Sequence, residues 1–324
     1  MNDLLIGLVS TLLATNPPAA VSNLVFNKTG AEVQFVDAND KVEQEFQAVL
    51  AEDDKAQAEV DKWIRDNQAF AKEGAGISNQ ELNRRILARF DIVKKAYQDF
   101  IAKHPNHARA RLAFASFLDD IGDEEGSHQQ MVKSLELDPK NPAVWNNLAN
   151  YYGHYGEVKK AFEYYAKAID LNPEEPVYYQ NFGTTVFLFR KDAKEYYHIN
   201  EQQVFDKALV LYSNAMKLAP DDFPLASDVA QTYYGIKPWR TNDAMVAWTN
   251  ALKVAHNEIE REGVYIHMAR LETAFGRFEA AAAHLGAVTN AHYTELKRRV
   301  ARSLEEHREQ AGLTNAPTTS TDIE

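Results

Sequence analysis

The stretch WNNLANYYGHYGEVKKAFEYYAKAIDLNP, from Trp145 to Pro173, places small and aromatic residues with helical regularity. Trp145, Leu148 and Tyr152 recur at steps of three and four, which puts them on one face of an α-helix. Gly156 favours an end to that helix and a reversal of the chain, because glycine adopts the left-handed conformation at low cost. A second helix follows, and its apolar face consists of Ala161, Tyr165, Ala168 and Ile169. The stretch therefore predicts two antiparallel helices, with Pro173 at the end of the second.

The same pattern recurs along the chain at a step of 34 residues. Several independent positions keep this step: Pro105, Pro139 and Pro173; Arg111, Trp145 and Tyr179; Phe114, Leu148 and Phe182; Ala115, Ala149 and Gly183; Gly122 and Gly156. One hairpin cannot cover its own apolar face, so neighbouring hairpins have to stack on each other. The spacing predicts an all-α protein built from stacked helical hairpins.

As a set, these positions resemble the tetratricopeptide repeat (TPR), a 34-residue helical motif. The residues that carry the resemblance are Trp145, Leu148, Ala149, Tyr152, Ala161, Tyr165, Ala168 and Pro173. It extends over roughly residues 78–290. The resemblance implies a right-handed α-solenoid of stacked antiparallel helix hairpins, with helical N-terminal and C-terminal caps.

One unit departs from the period. Ala208, Tyr212, Ala215 and Pro220 lie 47 residues beyond their counterparts, so 13 residues have been added between its two helices. The added segment, near residues 187–200, lacks Gly and Pro, and we expect it to be ordered, with a longer helix from near Val177 as one solution. The predicted organisation is an N-terminal cap with an irregular lead-in at 1–77, the array at 78–290, a capping helix at 291–310 and a disordered tail at 311–324.

Composition excludes several functional classes. The net charge of −12 argues against sequence-independent binding of nucleic acid or anionic lipid. The chain has no cysteine, which excludes disulfides and thiolate chemistry. His104 and His107 flank Pro105 and therefore do not share a helical face, and no other metal-binding or catalytic motif is present. We expect no enzymatic activity, no cofactor and no metal.

The apolar segment LLIGLVSTLLA, Leu4 to Ala14, is too short to span a bilayer. A secretory signal would carry positive charge before this segment, where the sequence has Asp3 and no Lys or Arg. Three interpretations stay open: a helix docked on the protein's own surface, a degenerate export signal, and a contact with a partner or a second copy. The expected location is the cytoplasm, with export or a periplasmic location as the alternative.

A row of polar residues follows the first helices of successive hairpins, on the side that we expect to face away from the core. We call it the polar ladder, and its members are Asn146, Asn147, Asn150, Asn181, Thr184, Asp228, Gln231, His267 and Arg270. An amide side chain both donates to and accepts from a peptide backbone, so such a row suits an extended chain of varied sequence. The alternative is that these are ordinary solvated positions. The carboxylate clamp of the family needs Lys and Arg, which this row mostly lacks, so chaperone C-terminal peptides are not the expected ligand.

Two functions fit the pattern. The leading prediction is a non-catalytic scaffold or adaptor that binds an extended peptide or partner protein in a concave groove. The alternative is a structural protein that assembles with itself, as a homo-oligomer or filament, through the apolar N-terminal segment or the aromatic residues of the insertion. Those rings, which pack back on the neighbouring repeat if they form no such contact, are Phe187, Phe189, Tyr196 and Tyr197.

Overall fold

A computed structural model of the chain describes residues 40–312. Throughout that range the regular elements are α-helices with two short 3-10 turns, which confirms the all-α prediction. None of these helices is both long and apolar enough to cross a bilayer. The predictions for Leu4–Ala14 and for most of the tail lie outside the described residues.

The chain divides into two compact units between residues 138 and 139. The helices described in the first unit are α1 (Lys41–Lys72), α2 (Asn79–Lys103), α3 (Ala108–Asp120) and α4 (Glu124–Leu137). Ser78 caps α2, because its hydroxyl accepts a hydrogen bond from the Glu81 main-chain N–H. The sequence-based domain boundaries stay a prediction.

Aromatic rings form the core of the first unit. Tyr97 of α2 stacks on Phe114 of α3 at a centroid distance of 5.1 Å, and Phe46 of α1 lies 5.5 Å from Phe100. The Tyr97 hydroxyl donates a hydrogen bond of 2.8 Å to Asp53 of α1. The buried apolar residues between residues 40 and 77, Phe46, Val49, Ala56 and Val60, all belong to the one long helix α1.

The second unit contains four helical hairpins, a short inserted helix and a final helix. Its helices are α5 (Pro142–His154), α6 (Val158–Leu171), α7 (Pro176–Leu188), α8 (Arg190–Tyr197), α9 (Glu201–Leu218), α10 (Phe223–Thr232), α11 (Thr241–Lys253), α12 (Glu258–Ala274), α13 (Phe278–Gly286) and α14 (Thr294–Gln310). The hairpins are α5–α6, α7–α9, α10–α11 and α12–α13, and consecutive hairpins contact each other. This stacking is the arrangement that the 34-residue spacing predicts.

Local sequence explains how each hairpin begins and turns. Asn141 and Asp222 cap α5 and α10 by accepting main-chain hydrogen bonds, and a proline occupies the first turn of each helix. Gly122 and Gly156 have φ angles of +77° and +87°, values that a side chain would disfavour. The two glycines lie 34 residues apart and share this left-handed conformation, which places the turn at the same position in two successive hairpins.

The insertion is ordered, but it does not lengthen the helix that begins near Val177. That helix, α7, ends at Leu188, and the added residues form the separate helix α8. His198 ends α8 in the left-handed conformation with φ +54°, and Asn200 then starts α9 with a reciprocal capping box. A single longer helix is excluded because the chain has to turn twice to bring α9 back against α7.

The last helix, α14, packs on α12 and α13. Val300 and Leu304 form its buried face, and most of its other side chains are charged and exposed. A helix that caps a repeat array needs such a polar outer face, and the assignment of residues 291–310 as that cap stays a prediction.

Candidate peptide-binding surface

The polar ladder lies within the second unit, on the first helix of each of its four hairpins. Three of its asparagines are on α5, two residues are on α7, two are on α10 and two are on α12. Asp228, Gln231 and Arg270 are exposed, and most of the others are half-buried. The members therefore differ in what they offer to a ligand.

Asn146 is a correction to the expectation that the whole ladder faces away from the core. Only 5% of the residue is exposed. Its amide oxygen accepts a hydrogen bond of 3.2 Å from Asn181 of α7, and its amide nitrogen lies 3.3 Å from the oxygen of Asn147. The expectation was wrong because a helical wheel drawn for one hairpin omits the face that the next hairpin covers.

Tyrosines of the second helices hold the polar groups of the first. The Tyr165 hydroxyl of α6 donates a hydrogen bond of 2.6 Å to the Asn150 amide oxygen and accepts one of 3.1 Å from Thr185. Thr184 and the Tyr212 hydroxyl of α9 share a hydrogen bond of 2.9 Å. Burial raises the pKa of Tyr165 to about 12, so its hydroxyl keeps its proton at neutral pH. Asn150 and Thr184 are thus held in fixed orientations.

The sequence pattern assigned Tyr165 and Tyr212 to the core and missed this polar role. Both occupy the aromatic position of the second helix, where a phenylalanine would pack equally well. The hydroxyl at a buried position was the available signal, because a buried tyrosine usually finds a hydrogen-bond partner.

The ladder continues from α7 to α10 through a side-chain hydrogen bond. The Gln180 amide of α7 donates to a carboxylate oxygen of Asp228 at 3.2 Å. Although Asp228 is exposed as a residue, partial desolvation of its carboxyl group raises its pKa above the ordinary value, and the Gln180 hydrogen bond opposes that effect. Gln231, one turn further along α10, donates to the Ser227 hydroxyl on its own helix at 3.3 Å. The α10 part of the ladder is therefore an acid beside an amide.

At α12 the two ladder residues, His267 and Arg270, pack against aromatic rings. The His267 ring stacks on Trp248 of α11 at a centroid distance of 4.3 Å, and its Nδ1 lies 3.1 Å from the Tyr234 hydroxyl. The Arg270 guanidinium lies over the Tyr234 ring at 5.2 Å. Burial, and to a smaller degree the charge of Arg270, lowers the pKa of His267 to about 4, so the ring is neutral at physiological pH.

The aromatic residues of the insertion are half-buried, and Phe187, Tyr196 and Tyr197 contact neighbouring helices of the second unit. Tyr196 and Tyr197 lie 5.4 and 5.6 Å from Phe162 of α6. Phe187 lies 5.9 Å from Phe205 of α9, with Phe189 at the junction of α7 and α8. These contacts favour internal packing over a free contact patch. Among residues 40–312 there is also no group of three His, Asp or Glu side chains that could hold a metal ion.

Comparison with known proteins agrees with this architecture. The tetratricopeptide repeat family model matches residues 142–175, which are α5, α6 and the turns around them. No curated protein sequence matches the chain.

Solved structures of other proteins align with this chain at low sequence identity. PilW, a widely conserved type IV pilus biogenesis factor, aligns with a TM-score of 0.52 and 15% identity over 68% of this chain and 94% of its own. Pseudomonas aeruginosa PilF aligns with a TM-score of 0.49 and 17% identity over 80% and 99% of the two chains. YrrB, a TPR protein with an unusual peptide-binding site, aligns with a TM-score of 0.47 and 15% identity over 64% and 98%. Residues 142–175, the hairpin α5–α6 with its turns, are thus the part of the chain that matches the tetratricopeptide repeat.

Proposed function

We propose that the protein is a non-catalytic scaffold whose second unit binds an extended peptide, or an extended segment of a partner protein, along the polar ladder. The observation that carries this proposal is the series of hydrogen bonds that joins the first helices of successive hairpins. Asn146 and Asn181 join α5 to α7, and Gln180 and Asp228 join α7 to α10. A row of polar groups held in this way binds a chain at a lower entropic cost than mobile side chains would.

The exposed members supply the contacts in this proposal. Gln231 both donates and accepts, Asp228 accepts from peptide N–H groups, and Arg270 donates to peptide carbonyls. All three are exposed, so a ligand reaches them without displacing the core. The prediction of self-assembly stays open, since its N-terminal segment lies outside the described residues, while the half-buried rings of the insertion do not favour it.

A peptide library tests the proposal. Twelve-residue random peptides displayed on phage would be selected against the full chain, and the affinity of the selected peptides measured by fluorescence anisotropy. We expect the double variant Asp228→Ala and Gln231→Ala to bind them about tenfold more weakly, the loss of one to two net hydrogen bonds.

The matched control changes two exposed residues of a second helix, Glu163→Ala and Lys167→Ala of α6, and should bind like the unchanged protein. Equal affinity for all three proteins, or no selectable peptide, would contradict binding at the ladder.

A further inference from the structure

A cleft of about 350 Å³ lies between the C-terminal part of α12 and the capping helix α14. It is lined by Arg270, Thr273, Ala274, Leu296, Arg299, Val300, Ser303 and His307. The lining combines two arginines and a histidine with an apolar part formed by Leu296 and Val300, which we call its floor, and no carboxylate is among these lining residues. The chain has a net charge of −12, so a cleft lined by basic residues without a carboxylate differs from the protein's average charge.

Of the acids close in sequence to the lining residues, Glu272, Glu295 and Glu305 form ion pairs, the last with Arg308 at 3.1 Å, and Glu306, next to His307, is exposed. Glu295 pairs with Arg298 at 2.7 Å and reaches Arg299 only at 3.9 Å. Glu272 pairs with His284 at 2.7 Å, away from the cleft. The positive charge of Arg270 and Arg299 is therefore only partly compensated by the described residues that surround it. An acidic segment with an apolar residue would match both the charge and the floor of this cleft.

The chain itself carries such a segment. Residues 313–324, outside the described range, read LTNAPTTSTDIE, with Asp322 and Glu324 on either side of Ile323 and no basic residue. This segment follows α14, the helix that forms one wall of the cleft. Twelve extended residues span up to about 40 Å, whereas the distance along the helix from Gln310 back to Arg299 is roughly 16 Å.

We propose that the acidic segment Asp322–Glu324 of this chain docks in the cleft between α12 and α14. Its carboxylates bind Arg270 and Arg299, and Ile323 covers the floor formed by Leu296 and Val300. Arg270 also belongs to the polar ladder, so the docked segment competes with a peptide at that end. This competition rests on the proposed function, whereas the docking itself does not.

Disulfide trapping tests the docking directly, because the natural chain contains no cysteine. The full chain would carry Ser320→Cys in the tail together with Ser303→Cys in the cleft. The matched control pairs Ser320→Cys with Arg302→Cys, which is adjacent on α14 and exposed but does not line the cleft. Under mild oxidation at low salt, the rate of intramolecular disulfide formation is measured for both proteins by mass spectrometry.

We expect the cleft pair to form its disulfide about tenfold faster than the control pair, because docking raises the effective concentration of the tail at that site. The difference should disappear when Asp322→Lys and Glu324→Lys are added. It should also shrink strongly in 1 M salt, where the Debye length is about 3 Å.

Equal rates for the two pairs would overturn the proposal, as would a difference that persists after the charge reversal. Disulfides that form mainly between two molecules, at a rate that rises with protein concentration, would assign the cleft to the tail of a second copy instead. That result would also overturn docking within one chain.

Discussion

His267 couples the protonation of a single ring to the packing of the second unit. Its pKa is lowered from 6.5 to about 4, first by burial and then by the charge of Arg270. As the pH falls, the unfolded chain therefore takes up this proton before the folded chain does. The stability that the neutral ring contributes is complete above about pH 6.5 and is lost as the pH falls through about 4, an effect on the order of 1–3 kcal/mol.

The variant His267→Phe should reduce this pH dependence. A phenyl ring keeps the stack on Trp248, and the Tyr234 hydroxyl keeps a second acceptor, the main-chain carbonyl of residue 267, at 3.2 Å. We expect the free energy of unfolding, measured with urea at pH 7 and pH 4, to fall less in the variant than in the natural protein. Parallel losses in the two proteins would show that other groups cause the pH dependence.

Asn146 shows where reasoning about single residues from the sequence fails. Its place on α5 follows from the spacing of Trp145 and Leu148, and that part of the prediction is confirmed. Its burial depends on α7, which lies 30 residues further along the chain and covers it. A periodicity within one hairpin carries no information about the neighbouring hairpin, so this contact could not be predicted.

At the scale of elements, two glycines differ in how closely a neighbouring helix approaches them. Gly183 lies on α7 and Gly153 on α5, the first helices of their hairpins. A Cβ atom on Gly183 would lie 3.2 Å from the main-chain oxygen of Ala208 in α9 and 3.3 Å from Tyr212. A Cβ on Gly153 would meet its nearest neighbour, Thr185, at an ordinary 3.7 Å. At Gly183 the α7–α9 contact is thus tighter than a Cβ atom ordinarily meets, whereas the surroundings of Gly153 have room for a methyl group.

The two alanine variants should therefore shift stability in opposite directions. Gly183→Ala should lower the free energy of unfolding by about 1–3 kcal/mol, because a backbone oxygen cannot move aside. Gly153→Ala should raise it by up to about 1 kcal/mol, since alanine loses less conformational entropy in a helix than glycine. Urea unfolding of both variants measures these changes. Equal changes in the free energy of unfolding would mean that helix propensity alone determines the effect of the two substitutions.

The inserted helix α8 gives a second test at this scale. The Tyr197 ring stacks on Phe162, and the Lys207 ammonium lies 4.1 Å from the centre of the ring. Burial raises the pKa of the Tyr197 hydroxyl above its ordinary value, which agrees with a ring held inside the unit. If packing is its role, Tyr197→Ala should cost about 1–3 kcal/mol, less than a fully buried ring would.

The control for Tyr197→Ala is Lys191→Ala, an exposed position of the same helix, which should change the free energy of unfolding by less than about 0.5 kcal/mol. Stability unchanged in both variants, together with a change in the molecular mass measured by light scattering for Tyr197→Ala alone, would favour a contact patch. The sequence located the insertion through the step from 34 to 47 residues. It did not predict the break at Phe189, since RKDAKEYY carries no helix-breaking residue.

At the scale of the whole molecule, the periodic part of the sequence was the most informative. The 34-residue step predicted the hairpins up to α7 and their turns, because each repeat meets the same packing problem. Residues before Ser78 do not repeat, so one long helix could not be distinguished from two. The sequence also did not predict the hydrogen bonds between the first helices of neighbouring hairpins. These bonds depend on how neighbouring repeats are rotated against each other.

In the second unit, a packing defect within one hairpin should disturb mainly the hairpins that contact it. Ala161 is fully buried where α6 meets α5, and a Cβ on Gly153 would lie 4.0 Å from its own Cβ. Ala161→Leu should force the two helices apart and cost about 1–3 kcal/mol.

Since each hairpin contacts only its neighbours, amide hydrogen exchange should accelerate in α5, α6 and α7 and stay unchanged in α12 to α14. Ala166→Leu, on the exposed side of the same helix, is the matched control and should change neither stability nor exchange. Exchange that accelerates uniformly across the second unit would instead show one cooperative domain, in which a single packing defect is shared by every helix.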